Sequence, residues 1–184
     1  MKVLCTNSID VFAPVERVFR AIVDVDKWPA WFSGIVSAQQ PNGRPVALEE
    51  ELYLCLNAGR RRWHESFEVS RYVKDAFFSL EGAYSSARRF DFRLEQRSGN
   101  TRVAAAIGYP VFGGWPAMAI DAALRRPRIA RAVNDTLLNL KHRIEDAADG
   151  VEPEADGFTL GNVSIVPLPS RVRAASAGEP LHVA

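Results

Sequence analysis

A carboxylate set among aromatics is the first feature of this sequence that invites chemistry. In Trp63-His64-Glu65-Ser66-Phe67-Glu68-Val69 the odd-numbered residues are apolar except Glu65. A strand here therefore turns Glu65 to the same side as Trp63 and Phe67. Taking a carboxylate out of water is costly unless it is paired, neutral or wetted inside a cavity. A carboxyl so placed suits general acid or base work on an enolisable ketone. Arg88 has the inward parity of a nearby strand, as an oxyanion stabiliser or as a plain salt-bridge partner. A bulge that broke the alternation would instead turn Glu65 outward. Tyr84 and Tyr109 also fall on apolar faces, where each hydroxyl can serve a ligand carbonyl or find a backbone partner. The candidate catalytic set is Glu65, Arg88, Tyr84 and Tyr109. His64 takes the opposite parity beside Arg60 and Arg62 and reads as a surface residue. No His, Cys or carboxylate cluster has metal-ligand spacing, and no Gly-rich phosphate loop is present, so neither metal nor cofactor is expected.

These groups need a fold with an inside. Residues 3–11 alternate imperfectly as a first strand, and Ala13-Pro14 opens a helix carrying Val15, Val18, Phe19 and Ile22 at helical spacing. A second short helix is predicted over Asp26 to Phe32, ended by Gly34. From Ile35 to about Val111 the period becomes two, with turn signals at Pro41-Asn42-Gly43, Asn57-Ala58-Gly59, Lys74-Asp75, Ser85-Ser86 and Ser98-Gly99-Asn100. That spacing predicts six more strands in a meander. Leu48, Leu52, Leu54 and Leu56 share one face, as do Phe78, Leu80 and Tyr84, then Phe90, Phe92 and Leu94, then Val103, Ala105, Ile107 and Tyr109. A sheet with one apolar face needs a cover. The stripe Ile129, Val133, Leu137, Leu140 and Ile144 supplies it on a last helix, with a kink or restart at Pro116 and Pro127 and an end near Gly150.

The predicted architecture is α+β, a seven-stranded antiparallel sheet wrapped around a long C-terminal helix, with two short helices after the first strand. Between sheet and helix, Trp28, Phe32, Trp63, Phe67, Leu52, Leu54, Phe90, Val133, Thr136 and Leu137 are the candidate substrate-binding residues, or alternatively plain core. Asn7 is a weaker candidate. Arg125, Arg126, Arg128 and Arg131 crowd the start of the last helix, as a solvated face or as a docking patch.

Composition bounds the rest. The 184 residues suit one domain plus a tail: residues 1–150 as a ligand-binding domain and 151–184, rich in Pro, Gly and Ala, as a mostly disordered segment. Lys and Arg number 23 against 22 Asp and Glu, so bulk charge points neither to nucleic acid nor to an anionic membrane. With two cysteines, Cys5 and Cys55, no signal-type apolar run and no membrane span, a reduced cytoplasmic setting is the expectation.

Some local motifs carry a family resemblance. Asn7-Ser8-Ile9, Ala13-Pro14, Trp28-Pro29 with Phe32-Ser33, and the closing Ile144-Glu145-Asp146, with Arg61 and Trp63 beside them, resemble the START-related polyketide cyclase/dehydrase and lipid-transport superfamily (SRPBCC) over roughly residues 5–148. Within it the sequence is similar to bacterial aromatic polyketide aromatase/cyclases of the tetracenomycin type. The resemblance implies a helix-grip fold whose deep cavity folds, cyclises and dehydrates a tethered poly-β-ketone in antibiotic biosynthesis. It also implies delivery by an acyl carrier protein, for which the four arginines are the expected contact. The same superfamily includes quinone-binding and lipid-carrying proteins, so a non-catalytic carrier is the alternative. Ile35 stands where those cyclases carry a tyrosine, Val69 where they carry an inward arginine, and Glu65 where they carry a tryptophan.

Overall fold

In the computed structural model, residues 2–40, 45–58, 61–83 and 87–147 are described. Tyr84, the Pro41-Asn42-Gly43 and Ser85-Ser86 turns, Gly59, Gly150 and the tail lie outside them. Strand β1 (Lys2–Val11) leads through Pro14 into α1 (Val15–Val23) and a 3₁₀ segment at Val25–Ala30. Six strands follow: β2 (Ile35–Gln39), β3 (Glu51–Ala58), β4 (Arg61–Val73), β5 (Phe77–Gly82), β6 (Arg89–Arg97) and β7 (Asn100–Pro110). The chain closes with α2 (Gly114–Ile120), a π turn at Asp121–Arg125 and α3 (Arg126–Asp146). The sheet order is β1-β7-β6-β5-β4-β3-β2, and every neighbouring pair is antiparallel. This is the α+β architecture expected from periodicity, and the helix grip that the resemblance implied.

Local departures have physical causes. Pro14 stands just before the helix in extended conformation, and its carbonyl accepts from the Arg17 and Val18 amides. Helix α1 has no side-chain cap of its own, so the Val15 amide donates to Gln96 Oε1 at 2.8 Å. The second helix is a 3₁₀ segment that stops at Ala30, short of the predicted Phe32. Leu48 is exposed in a turn before β3, where Glu49 takes φ 64°, and Val46 is buried instead. Gly34, at φ +91°, accepts from the Asn57 amide and sets the entry into β2. In place of the kink or restart expected at Pro116 and Pro127, α2 runs into α3 without a break through a single π turn at Asp121–Arg125.

The interior is divided unevenly, and that division places the site. Trp28 is fully buried against Trp31, Phe32, Phe78 and Phe92, with ring centroids 5.0 to 6.2 Å away. Its Nε1 donates to the Ile22 carbonyl at 2.8 Å. Leu52, Leu54, Phe67, Leu80, Leu137 and Leu140 complete this solid half. The other half lies where β5 gives out. Gly82, its last residue, pairs with Phe67, and the Ala83 amide still donates to the Ser66 carbonyl; among the described residues β4 then runs on to Arg61 beside β3 alone. Trp63 and Glu65 are thus inward-facing positions with no β5 partner among the described residues.

Candidate functional site

A cavity of about 320 Å³ occupies this open end. Phe32, Ile35, Leu56, Trp63, Phe90 and Ile107 form apolar walls, while Leu124, Ile129 and Ala132 from the π turn and α3 close the helix side. Asn57, Arg88, Tyr109, Arg125 and Arg128 bring polar groups to the same space. An apolar pocket with a few convergent polar groups is the usual form of a small-molecule site, and this volume lies at the lower end of the usual range. A second hollow of about 330 Å³, near Lys2, Glu81 and Asp91, also touches Arg88 and Tyr109, but no Phe or Trp lines it, and Arg89 there is paired with Glu81 and Asp91. The first is therefore the candidate ligand site.

Each of two polar cavity residues is backed by a carboxylate. Arg88 forms an ion pair with Glu65 through Nη1 and Oε2, and its guanidinium lies 5.0 Å from the Trp63 ring centroid. Trp63 Nε1 donates to the same Glu65 oxygen at 3.2 Å. The Glu65 side chain is 9% exposed, and its Oε1 is buried without a hydrogen bond. The parity argument thus puts Glu65 inward, but behind Arg88 and Trp63 and off the cavity wall. Tyr109, 2% exposed, donates its O–H to Asp121 Oδ2 at 3.1 Å, and the Arg125 guanidinium lies 4.5 Å from its ring centroid. Asp121 is buried in the π turn, with Arg126 at 3.7 Å from Oδ2 and Oδ1 unpartnered.

Burial, followed by the Asp121 hydrogen bond, pushes the Tyr109 phenol up to about 12. A folded-state value above the ordinary 10 means that the neutral phenol stabilises the fold below pH 10. That contribution fades as pH rises through about 12. Its size is on the order of 2 kcal/mol. Urea midpoints measured across this window should fall with pH in the wild type and fall less steeply in Tyr109→Phe. Identical slopes would show that Tyr109 titrates as a solvated phenol.

The structure separates the expected binding residues into two groups. Phe32, Trp63 and Phe90 line the cavity, as do Arg88 and Tyr109 from the catalytic set. Trp28, Leu52, Leu54, Phe67 and Leu137 face inward but lie in the solid half, because the aromatic cluster fills the space that parity alone assigned to a ligand. Val133 and Thr136 border only a void of about 10 Å³, room for one water at most. Thr136 Oγ1 accepts from the Ser33 amide at 3.1 Å. Asn7 is exposed and donates to Asn134 on α3 instead of reaching the cavity. His64 is exposed on the outer face, and Tyr84 lies outside the described residues. Parity had already put Leu56 and Ile107 on inward faces. Asp121 was missed, although a lone acid in Met118-Ala119-Ile120-Asp121-Ala122-Ala123-Leu124 was its visible signal.

Residues 2–145 match the family described as polyketide cyclase/dehydrase and lipid transport. The chain belongs to that family. No curated protein matches the sequence. Among solved structures, TTHA0849 from Thermus thermophilus superposes with a TM-score of 0.64 at 15% identity, covering 79% of this chain and 99% of that one. A START superfamily protein from Mycobacterium smegmatis gives 0.61 at 14% identity, covering 78% and 98%. The Zhui aromatase/cyclase from Streptomyces sp. R1128 gives 0.56 at 11% identity, covering 80% and 98%. At these identities the likeness is one of fold.

Proposed function

We propose that the protein is a cofactor-independent cyclase or dehydratase acting on a polyketide-like, oxygen-bearing precursor. The observation that carries this reading is the convergence of Arg88 and Tyr109 on one apolar cavity, each backed by a buried carboxylate. Arg88 can only donate, whereas Tyr109, its O–H committed to Asp121, keeps a lone pair for a ligand hydroxyl. A carbonyl beside an enol or phenol presents that pattern. Apolar walls and fixed donors select one folded conformer and stabilise charge on an enolate oxygen. In this reading Glu65, behind Arg88 and off the cavity wall, acts through Arg88 and Trp63, and the proton lost in enolisation or dehydration reaches its Oε1 only when the Arg88–Glu65 pair opens. Delivery on an acyl carrier protein through Arg125, Arg126, Arg128 and Arg131 belongs to the same reading.

The second reading, a carrier for a quinone, lipid or aromatic product, is favoured by the position of Glu65 behind Arg88. The product profile distinguishes the two. A poly-β-ketone thioester incubated with the enzyme should yield a ring pattern absent from its spontaneous cyclisation. Tight binding with an unchanged profile would overturn the catalytic reading and leave the carrier.

A further inference from the structure

The cavity opens beside a segment that the fold does not bury. Between Phe112 and Leu124 only Ala117 and Asp121 are shielded, four residues apart on one narrow stripe, and every other position faces solvent. Phe112 is 78% and Trp115 80% exposed, and Met118, Ile120 and Leu124 are exposed with them. Asp121 is the only charged residue in that interval, and its carboxylate is buried. Arg125, Arg126, Arg128 and Arg131 follow at once, all exposed, and no acidic residue other than Asp121 occurs from Phe112 to Asn134. Arg61 and Arg62, also exposed, stand on the hairpin that contributes Asn57 and Trp63 to the same cavity. The whole chain carries only +1, so this basic end is a local concentration and does not follow from a basic composition.

We infer that α2 and the π turn dock this protein on an anionic lipid surface, with the cavity mouth facing the lipid. Exposed large apolar side chains next to cations are the signature of an interfacial helix, the apolar part entering the acyl boundary and the arginines meeting headgroup phosphates. The exposed apolar side chains have no exposed acid among them and run directly into the arginines, the pattern that an anionic lipid surface complements. An acidic carrier protein would account for the arginines but would leave Phe112 and Trp115 unexplained. Among the described residues no helix is long and apolar enough to cross a membrane, so the contact is peripheral. Leu124, Arg125, Arg128 and Ile129 belong both to this surface and to the cavity, which would let a hydrophobic ligand pass between them without crossing water. The inference does not depend on catalysis.

The test uses the full chain with phosphatidylcholine vesicles, with and without added phosphatidylglycerol. The expected result is co-sedimentation with the anionic vesicles, weakening as salt rises, and a blue shift of tryptophan emission that is lost in Trp115→Ser. The double variants Phe112→Ser/Trp115→Ser and Arg125→Glu/Arg128→Glu should each bind roughly tenfold more weakly or worse, with unchanged melting temperatures. A variant that melts lower is replaced by Trp115→Gln alone. Absence of binding to anionic vesicles at low salt, or binding indifferent to Trp115 and Phe112, would overturn the proposal. So would a dimer in solution, or a complex with an acidic carrier protein, that forms through the same residues while vesicles are ignored.

Discussion

Glu65→Gln should lower the rate of ring closure or dehydration by roughly a hundredfold while ligand binding survives, the usual loss when a positioned acid or base is removed. The substitution keeps the shape and can still accept from Trp63 Nε1, so its effect on the fold should be small beside its effect on the chemical step. Arg88→Met should also impair turnover, because it removes the donor that meets the ligand oxygen. The double variant separates two roles for the carboxylate. If Glu65 only positions Arg88, the double variant is no slower than Arg88→Met alone; if Glu65 moves the proton itself, a further loss appears. An unchanged rate and product profile in Glu65→Gln would leave Glu65 as a structural ion-pair member.

Trp28→Ala should cost about 3 to 5 kcal/mol of stability, the range for truncating a fully buried large aromatic. It removes contacts with four aromatic rings and the hydrogen bond to the Ile22 carbonyl, in the half of the interior that has no room to collapse. Trp28→Phe retains most of the apolar volume and should lose much less, which keeps the comparison usable if the alanine variant does not fold. Trp63→Ala provides the contrast. Trp63 is only partly buried on the cavity wall, so its truncation should weaken ligand binding far more than it lowers the urea midpoint. The reverse ranking would mean that the ligand space and the solid core have been exchanged.

That contrast also explains what the sequence could and could not reveal. Period-two alternation told inward from outward correctly along β6, β7 and β4 as far as Val69, because a strand's side chains alternate by covalent geometry. Past Val69 a bulge turns Tyr72 inward and leaves Arg71 and Val73 exposed. Alternation also brought Glu65 and Arg88 to the same side, where they meet. Parity carries no information on how far along a strand the interior is filled. Leu52, Leu54 and Leu56 share one face, yet the first two pack into the aromatic half and only Leu56 borders the cavity. That difference is set by where β5 stops at Gly82, a matter of pairing between distant strands and not of local pattern. Asp121 was obscured for a similar reason: its partner, Tyr109, comes from a different element, and the π turn that aims it has no reliable sequence signal.

A structure with a hydroxylated aromatic ketone bound would test the assignment of this site most directly. The ring should lie against Trp63 and Phe90, the carbonyl should accept from Arg88, and a neighbouring hydroxyl should donate to the Tyr109 oxygen. A ligand seated instead in the charged hollow beside Lys2 and Asp91, or bound in the cavity with its oxygens turned away from both Arg88 and Tyr109, would contradict the account.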